Sequence, residues 1–332
     1  MPIAQSRKVE LSEIPVIDLR LLQGSDRDRA QFGGELREAC ESVGFFYAAN
    51  HGVPEKVTQG IFEQAHRFFD LPMEERASLA ITRSPVYRGY LGVGQRGTNL
   101  ARAADILESL NLGRELGPDH PEVKAGTPLH GPNQWPSGLP GFREEVISYQ
   151  QTMLGLAGSL LEGFALALDV PFARLQPLFD PPMFQMRMLH YAPQPVEIDT
   201  MMGARPHQDT SFFTILLQDD VGGLEVQARN GEWLAAPPRP DMFVVNAGEF
   251  LERMTCGSFC SAMHRVVNRS RSERYSVPFF VSPGFSTVLS PLAEFAARPG
   301  AQSFEPIHIG NTMAAFFRSL WPSIDARPTT VR

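Results

Sequence analysis

From Phe184 to Val281 the chain is a succession of short apolar runs separated by turn residues, and this pattern restricts it to an antiparallel β sandwich or barrel more tightly than any other feature. The clearest break is Asn230-Gly231, set between Leu224-Glu225-Val226 and Trp233-Leu234 as a tight hairpin requires. Phe243-Val244-Val245-Asn246 before Gly248, Met263 to Val267, and Tyr275 to Val281 read as further strands. Upstream the pattern is mixed. Ile14 to Leu19 and Gly44 to Ala49 read as strands on either side of a helical period from about Asp26 to Ser42. Asn50 to Pro54 is a turn, with Pro54 suited to the first position of a helix that carries Phe62, Ala65, Phe68 and Phe69 on one face. Asp119 to Pro140 is rich in Pro and Gly and reads as irregular loop, whereas Phe142 to Leu168 is a long helix. After Pro283 strand character fades, and Asn311 to Trp321 is a terminal helix with Met313, Phe316, Phe317 and Leu320 apolar. No internal repeat is visible.

Composition narrows the function classes. With 43% hydrophobic and 20% charged residues over 332 positions, the chain has the material for a sizeable core. A net charge of -7 argues against a nucleic-acid partner, since such binding rests on basic patches. Cys40, Cys256 and Cys260 are too few for a disulfide framework and point to reduced thiols and a cytoplasmic setting. Cys256 and Cys260 lie four apart but lack a second pair or a zinc-type spacing, so they read as inert. Met1 to Glu10 has no apolar segment of signal-peptide type. Met153 to Leu168 is interrupted by Glu162, Gly155, Gly158 and Gly163 and reads as too short to span a bilayer, so no membrane partner is expected. A small-molecule substrate fits this balance best. Oligomeric state is not legible.

His207-Gln208-Asp209 puts an imidazole and a carboxylate at positions i and i+2, which on extended chain face the same side. His264, inside the strand-like run Met263 to Asn268, offers a third ligand. Two neutral His and one carboxylate form the facial set of non-haem Fe(II), with positions left open for reactants. Zinc also accepts two His and a carboxylate, and an isolated His in a strand is more often a core residue. Ten residues after His264, Arg274-Tyr275-Ser276 presents a second i, i+2 pair. A guanidinium fork beside a hydroxyl suits a carboxylate ligand, which a zinc hydrolase does not need; by itself Arg274 would otherwise read as part of the charged run Arg269 to Arg274.

These residues, with Ile14 to Leu19, Gly44 to Pro54, Arg88-Gly89-Tyr90, Pro206 to Leu224, His264 to Asn268 and Arg274 to Phe280, resemble the isopenicillin-N-synthase-like group of 2-oxoglutarate/Fe(II)-dependent dioxygenases. The resemblance implies a mainly β fold with added helices: a double-stranded β-helix, or jelly roll, with a helix-rich N-terminal part and a C-terminal helix. It divides the chain into an N-terminal region over 14–140, a support helix over 141–180, the jelly-roll core over 181–284 and a C-terminal helix and tail over 285–332. It implies Fe(II) held by His207, Asp209 and His264, the distal carboxylate of 2-oxoglutarate held by Arg274 and Ser276, O2 as co-substrate, and ascorbate as an accessory reductant. Arg187 and Tyr191 match the strand before the metal motif, where Tyr contacts co-substrate or substrate in relatives; packing is the competing role for each. Departures are Leu189, where plant members carry Asn, and Cys256, where Asn often precedes the equivalent of Gly257.

The activity so implied couples conversion of 2-oxoglutarate to succinate and CO2 with hydroxylation, desaturation or ring closure of a small organic metabolite. Two other readings stand beside it: an Fe(II) oxidase of the same fold that does not use 2-oxoglutarate, and a non-catalytic metal-binding sensor. Gly92-Val93-Gly94-Gln95-Arg96-Gly97 satisfies a dinucleotide-type glycine pattern, but no apolar strand precedes it; it reads as a loop over the active site. The substrate pocket is expected to draw on Tyr87 to Asn99 and the C-terminal helix. Of the remaining histidines, only His190 falls near the site.

Overall fold

The computed structural model describes residues 14–94, 107–193, 202–270 and 272–325. Twelve strands build two sheets: β1 (Val16–Asp18), β2 (Phe45–Ala49), β3 (Gly89–Leu91), β4 (Leu107–Gly113), β5 (Met183–Tyr191), β6 (Ala204–His207), β7 (Phe213–Gln218), β8 (Leu224–Gln227), β9 (Trp233–Ala235), β10 (Phe243–Ala247), β11 (His264–Val266) and β12 (Arg274–Ser282). The larger sheet runs β1-β2-β10-β7-β12-β5-β4-β3 and the smaller β6-β11-β8-β9. Among the described strand pairs of these two sheets, only β1 and β2 run parallel. The sheets face each other across an apolar layer that includes Phe45, Tyr47, Leu107, Tyr191, Leu224, Val226 and Val266. This is the jelly roll, and its interior holds the site described below.

The opposite face of the large sheet is covered by helices. The Phe142–Leu168 helix sets Phe164 parallel to Phe213 of β7, with ring centroids 5.0 Å apart, and edge-on to Phe212. The Asp26–Ser42 helix lies against it, and contact is close because glycines face side chains: a Cβ on Gly33 would sit 2.9 Å from Leu166 Cβ, and one on Gly163 2.4 Å from the Phe32 ring. Ser25 starts the Asp26–Ser42 helix with a reciprocal cap to Asp28. A second layer of apolar residues fills the space between helices and sheet.

Several expectations change. Pro54 caps its helix, which begins at Glu55, and Phe62 is only partly buried while Ile61 takes its place on the inward face. The Asn230-Gly231 hairpin closes through five residues, Ala228 to Glu232, because only Gly231 takes positive φ. Within 119–140 there is a turn of helix, Pro121–Lys124. Strand character does not end at Pro283, since Val288–Leu289 pairs with Ile307–His308. The long helix has 27 residues and is apolar enough by length and composition to cross a membrane, contrary to the expectation from Met153–Leu168 alone; 56% of its most apolar window is buried inside the molecule. Gln95 to Asn99, part of the expected substrate loop, lie outside the described residues.

Candidate active site

His207 ends β6 and His264 begins β11, directly opposite it in the antiparallel ladder. Asp209 lies beyond the end of β6, so the pleat of one strand does not bring it to His207. Two bonds from the large sheet do: Thr214 Oγ1 of β7 donates to Asp209 Oδ2 at 2.7 Å, and Asn246 Nδ2 of β10 donates to the same oxygen at 2.9 Å. Oδ1 is left to face His207 Nε2 at 3.8 Å and His264 Nε2 at 3.6 Å. One ligand atom from each residue lies within 4.8 Å of the others.

The histidine tautomers follow from their other ring atoms. His207 Nδ1 is 2.7 Å from the Arg205 carbonyl and His264 Nδ1 3.2 Å from the Ala262 carbonyl. A carbonyl only accepts, so each Nδ1 carries the proton and each Nε2 presents a lone pair toward Asp209. Burial opposes ionisation of Asp209, but positive charge on the His264 and His207 rings when they are protonated, together with the Asn246 amide, outweighs it and holds the carboxyl far below the usual carboxylate range; with the rings neutral, a cation between the three residues takes that place. Two neutral nitrogens and one anionic oxygen, all on one side, fit a divalent ion with open positions.

Deeper in the same interior stands the second constellation. Arg274 is fully buried on β12. Its Nη1 donates to Ser276 Oγ at 3.0 Å, its Nε to the Gly222 carbonyl, and its guanidinium carbon lies 4.6 Å from the centre of the Tyr191 ring. Tyr191 is opposite Arg274 in the register of β5 and β12, and Leu107 of β4 completes the rung. Among the described residues no carboxylate pairs with Arg274. Its hydrogen-bond acceptors are neutral and the Asp219 carboxylate acts on it only through space, so a ligand carboxylate is the group that would complete its bonding.

One pocket joins the two constellations. His207, Asp209, His264, Arg274, Ser276, Tyr191 and Arg187 all line it, with Leu91, Leu189, Leu216, Pro278, Phe280 and Trp321 as its apolar wall. Arg187 lies over the Phe280 ring at 5.1 Å. Outward from His207 and Asp209 the cleft continues between Arg187, Arg205, Phe280 and the C-terminal helix residues Met313, Phe316 and Leu320. His190 does not belong to it. It occupies the other face of β5, with Nδ1 2.7 Å from Glu108 Oε1 and its ring stacked on Tyr275 at 4.7 Å. The strand alternation that places Tyr191 inside turns its neighbour out. Thr214 and Asn246 were not singled out in the sequence. Asn246 had a signal, a polar residue closing the apolar run Phe243-Val244-Val245; Thr214 had none.

The sequence matches two family models: residues 14–138 that of the non-haem dioxygenase in morphine synthesis N-terminal region, and residues 183–283 that of the 2OG-Fe(II) oxygenase superfamily. A 2-oxoglutarate-Fe(II) type oxidoreductase of Emericella nidulans is 34% identical over 94% of this chain and 91% of its own length. A homoarginine-6-hydroxylase of Arabidopsis thaliana is 32% identical over 86% of this chain and 81% of its own. Among solved structures, a full-length Neurospora crassa protein in complex with alpha-KG superposes with a TM-score of 0.83 at 25% identity, covering 94% of this chain and 99% of that one. The rice dioxygenase for auxin oxidation superposes with a TM-score of 0.74 at 25% identity, over 92% and 96%.

Proposed function

This chain belongs to the 2-oxoglutarate/Fe(II) oxygenase superfamily, a dioxygenase that oxidises a small organic molecule, and from that premise we propose roles for its site residues. His207, Asp209 and His264 hold Fe(II), and Arg274 with Ser276 holds the distal carboxylate of 2-oxoglutarate. Tyr191 forms the floor under Arg274, and Arg187 borders the substrate side of the pocket. The observation that carries this reading is the one-sided placement of both constellations in a single apolar pocket. Iron, when bound, supplies the O2 activation that couples 2-oxoglutarate breakdown to succinate and CO2 with C–H oxidation of the substrate.

The chain's own residues do the rest. Thr214 and Asn246 fix Asp209 so that one oxygen stays free for the metal, and the Arg205 and Ala262 carbonyls keep both imidazoles in the ligating tautomer. Arg274 orients the co-substrate by charge-assisted bonds from a fully buried position, and leucine, proline and aromatic side chains form the apolar wall of the pocket. Hydroxylation, desaturation and ring closure are all open to such a site. Three thiols without a disulfide support a cytoplasmic location, and the net charge of -7 supports the absence of a nucleic-acid partner. The test is succinate formation, measured by mass spectrometry with Fe(II), ascorbate and a panel of small metabolites. Substrate-stimulated succinate in one-to-one ratio with oxidised product is expected. O2 consumption with product but no succinate would replace this reading with the oxidase that does not use 2-oxoglutarate, and absence of both for the iron-loaded protein across the panel would favour the sensor.

A further inference from the structure

A second cavity, of about 380 Å³, opens at the far end of the β5–β12 pair, where Met183 faces Ser282, whereas the pair meets the carboxylate clamp at Tyr191 and Arg274. Arg88 and Arg114 both line it. Arg88 is 5% exposed, and a Cβ on Gly113 would sit 2.1 Å from Arg88 Nη2, so glycine is what lets the guanidinium lie against β4. Among the described residues its one side-chain bond goes to the Leu129 carbonyl at 3.4 Å, and its Nε has no acceptor. The acid nearest in influence, Glu115, is already engaged by both nitrogens of Asn133 and by Arg143. Burial pulls the Arg88 guanidinium down to about 10, the sign of a cation short of compensation.

Arg114 is in the same condition to a lesser degree. Its Nη2 donates to the Pro182 carbonyl at 3.1 Å, no carboxylate pairs with it among the described residues, and burial lowers its guanidinium as well. One more donor stands at the opening: His120 accepts the Glu122 backbone N–H on Nδ1, which leaves Nε2 as its proton-bearing atom, whereas His130 donates from Nδ1 to the Pro128 carbonyl at 2.9 Å and its neutral ring offers no further donor. Glu122 and Asp180 also border the cavity, but both are exposed, on the rim, while the arginines lie inward.

We propose that this cavity is a binding site for a small oxyanion, held between Arg88 and Arg114 and separate from the 2-oxoglutarate pocket. Phosphate and short dicarboxylates share the chemistry the two guanidinium groups select, planar or tetrahedral oxygens with more than one negative charge. The site does not depend on the iron and co-substrate assignment, since no residue is shared between the two pockets except through the strands that connect them.

Calorimetric titration and thermal unfolding of the full chain with inorganic phosphate, and separately with succinate, test the inference. Both are run in an Arg274→Gln background, which removes the competing carboxylate clamp. Saturable binding with a raised unfolding midpoint is expected; whichever anion binds more tightly names the source. Arg114→Gln should weaken binding by about tenfold or more, and Arg88→Met should abolish it. Arg88→Met carries a second, independent sign: without anion it should unfold at a higher temperature than its parent, because an uncompensated buried charge has been removed. If Arg88→Met does not fold, Arg114→Gln alone decides. No saturable binding of either anion, or binding undiminished in Arg114→Gln, would overturn the site, as would a lower midpoint of folded, anion-free Arg88→Met.

Discussion

At the scale of single residues, the site is a set of atoms with opposed needs, and the predictions separate them. His207→Ala, Asp209→Ala and His264→Ala should each abolish turnover and leave the far-ultraviolet circular dichroism unchanged, because the ligands sit on or just beyond strands whose pairing and packing do not depend on them. Asn246→Ala removes one of two bonds to Asp209 Oδ2, and loss of such a supporting partner costs roughly 10–100-fold in metal affinity. Equilibrium dialysis with Fe(II) under argon measures it; an affinity equal to wild type would mean that Asp209 is positioned by other means. Arg274→Gln should weaken 2-oxoglutarate by about thirtyfold or more, since truncating one partner of a buried charge pair costs about 2–5 kcal/mol, while Ser276→Ala should cost about 1 kcal/mol. A titration of the anaerobic Fe(II) protein followed by its absorption band reads both. Sequence alone nominates His207, Asp209, His264, Arg274 and Ser276 by residue type and two-residue spacing, and one pocket is lined by all five. It could not supply Thr214 and Asn246, whose role exists only because β7 and β10 pass behind Asp209.

At the scale of elements, β4, β5 and β12 carry two ladders on opposite faces. Inward are Leu107, Tyr191 and Arg274; outward, one residue along, are Glu108, His190 and Tyr275. Glu108 accepts from Arg76 and Tyr90 on one oxygen and contacts His190 on the other, so the clamp is braced from behind by a buried charged group. Burial works against the Glu108 charge, but His190, Tyr90 and Arg76 outweigh it and hold its carboxyl below 4.5. A group depressed in the folded state contributes stability that is present above its unfolded value and is lost as pH falls through the folded one. Glu108→Gln should therefore lower stability at neutral pH and flatten the loss of stability on acidification below about pH 4.5, as read by urea unfolding across pH. The same acid slope in variant and wild type would remove Glu108 as a contributor. This ladder was hidden in the sequence because Leu107 to Gly113 mixes Glu, Ser and Asn with its leucines and does not read as a strand; pairing on both edges of β4 supplies what the pattern lacks. By contrast, the Asp26–Ser42 and Phe142–Leu168 helices are legible in the sequence, because helical period is encoded locally.

At the scale of the whole molecule, the proposed iron ligands tie the two sheets together. His207 and His264 belong to the small sheet, whereas Asp209 is held from the large one by Thr214 and Asn246. A metal bound to all three closes a further link between the sheets, beside their apolar packing and bonds such as that of Arg274 to the Gly222 carbonyl. Binding to the folded state alone stabilises by RT ln(1 + [L]/Kd), about 2.7 kcal/mol at a hundredfold excess over Kd. Mn(II), which takes the same ligands without O2 chemistry, should therefore raise the unfolding midpoint by a few degrees in aerobic scanning calorimetry. Adding 2-oxoglutarate should raise it again, since Arg274 gains a partner and the keto acid fills open metal positions. The order of addition matters: 2-oxoglutarate without metal should give a smaller shift, because only the distal carboxylate then has a counterpart. His264→Ala should lose the metal response and retain the small one, and Arg274→Gln should do the reverse. A full metal response in His264→Ala would show that the ion sits elsewhere, and a full 2-oxoglutarate increment in Arg274→Gln would detach the co-substrate from β12.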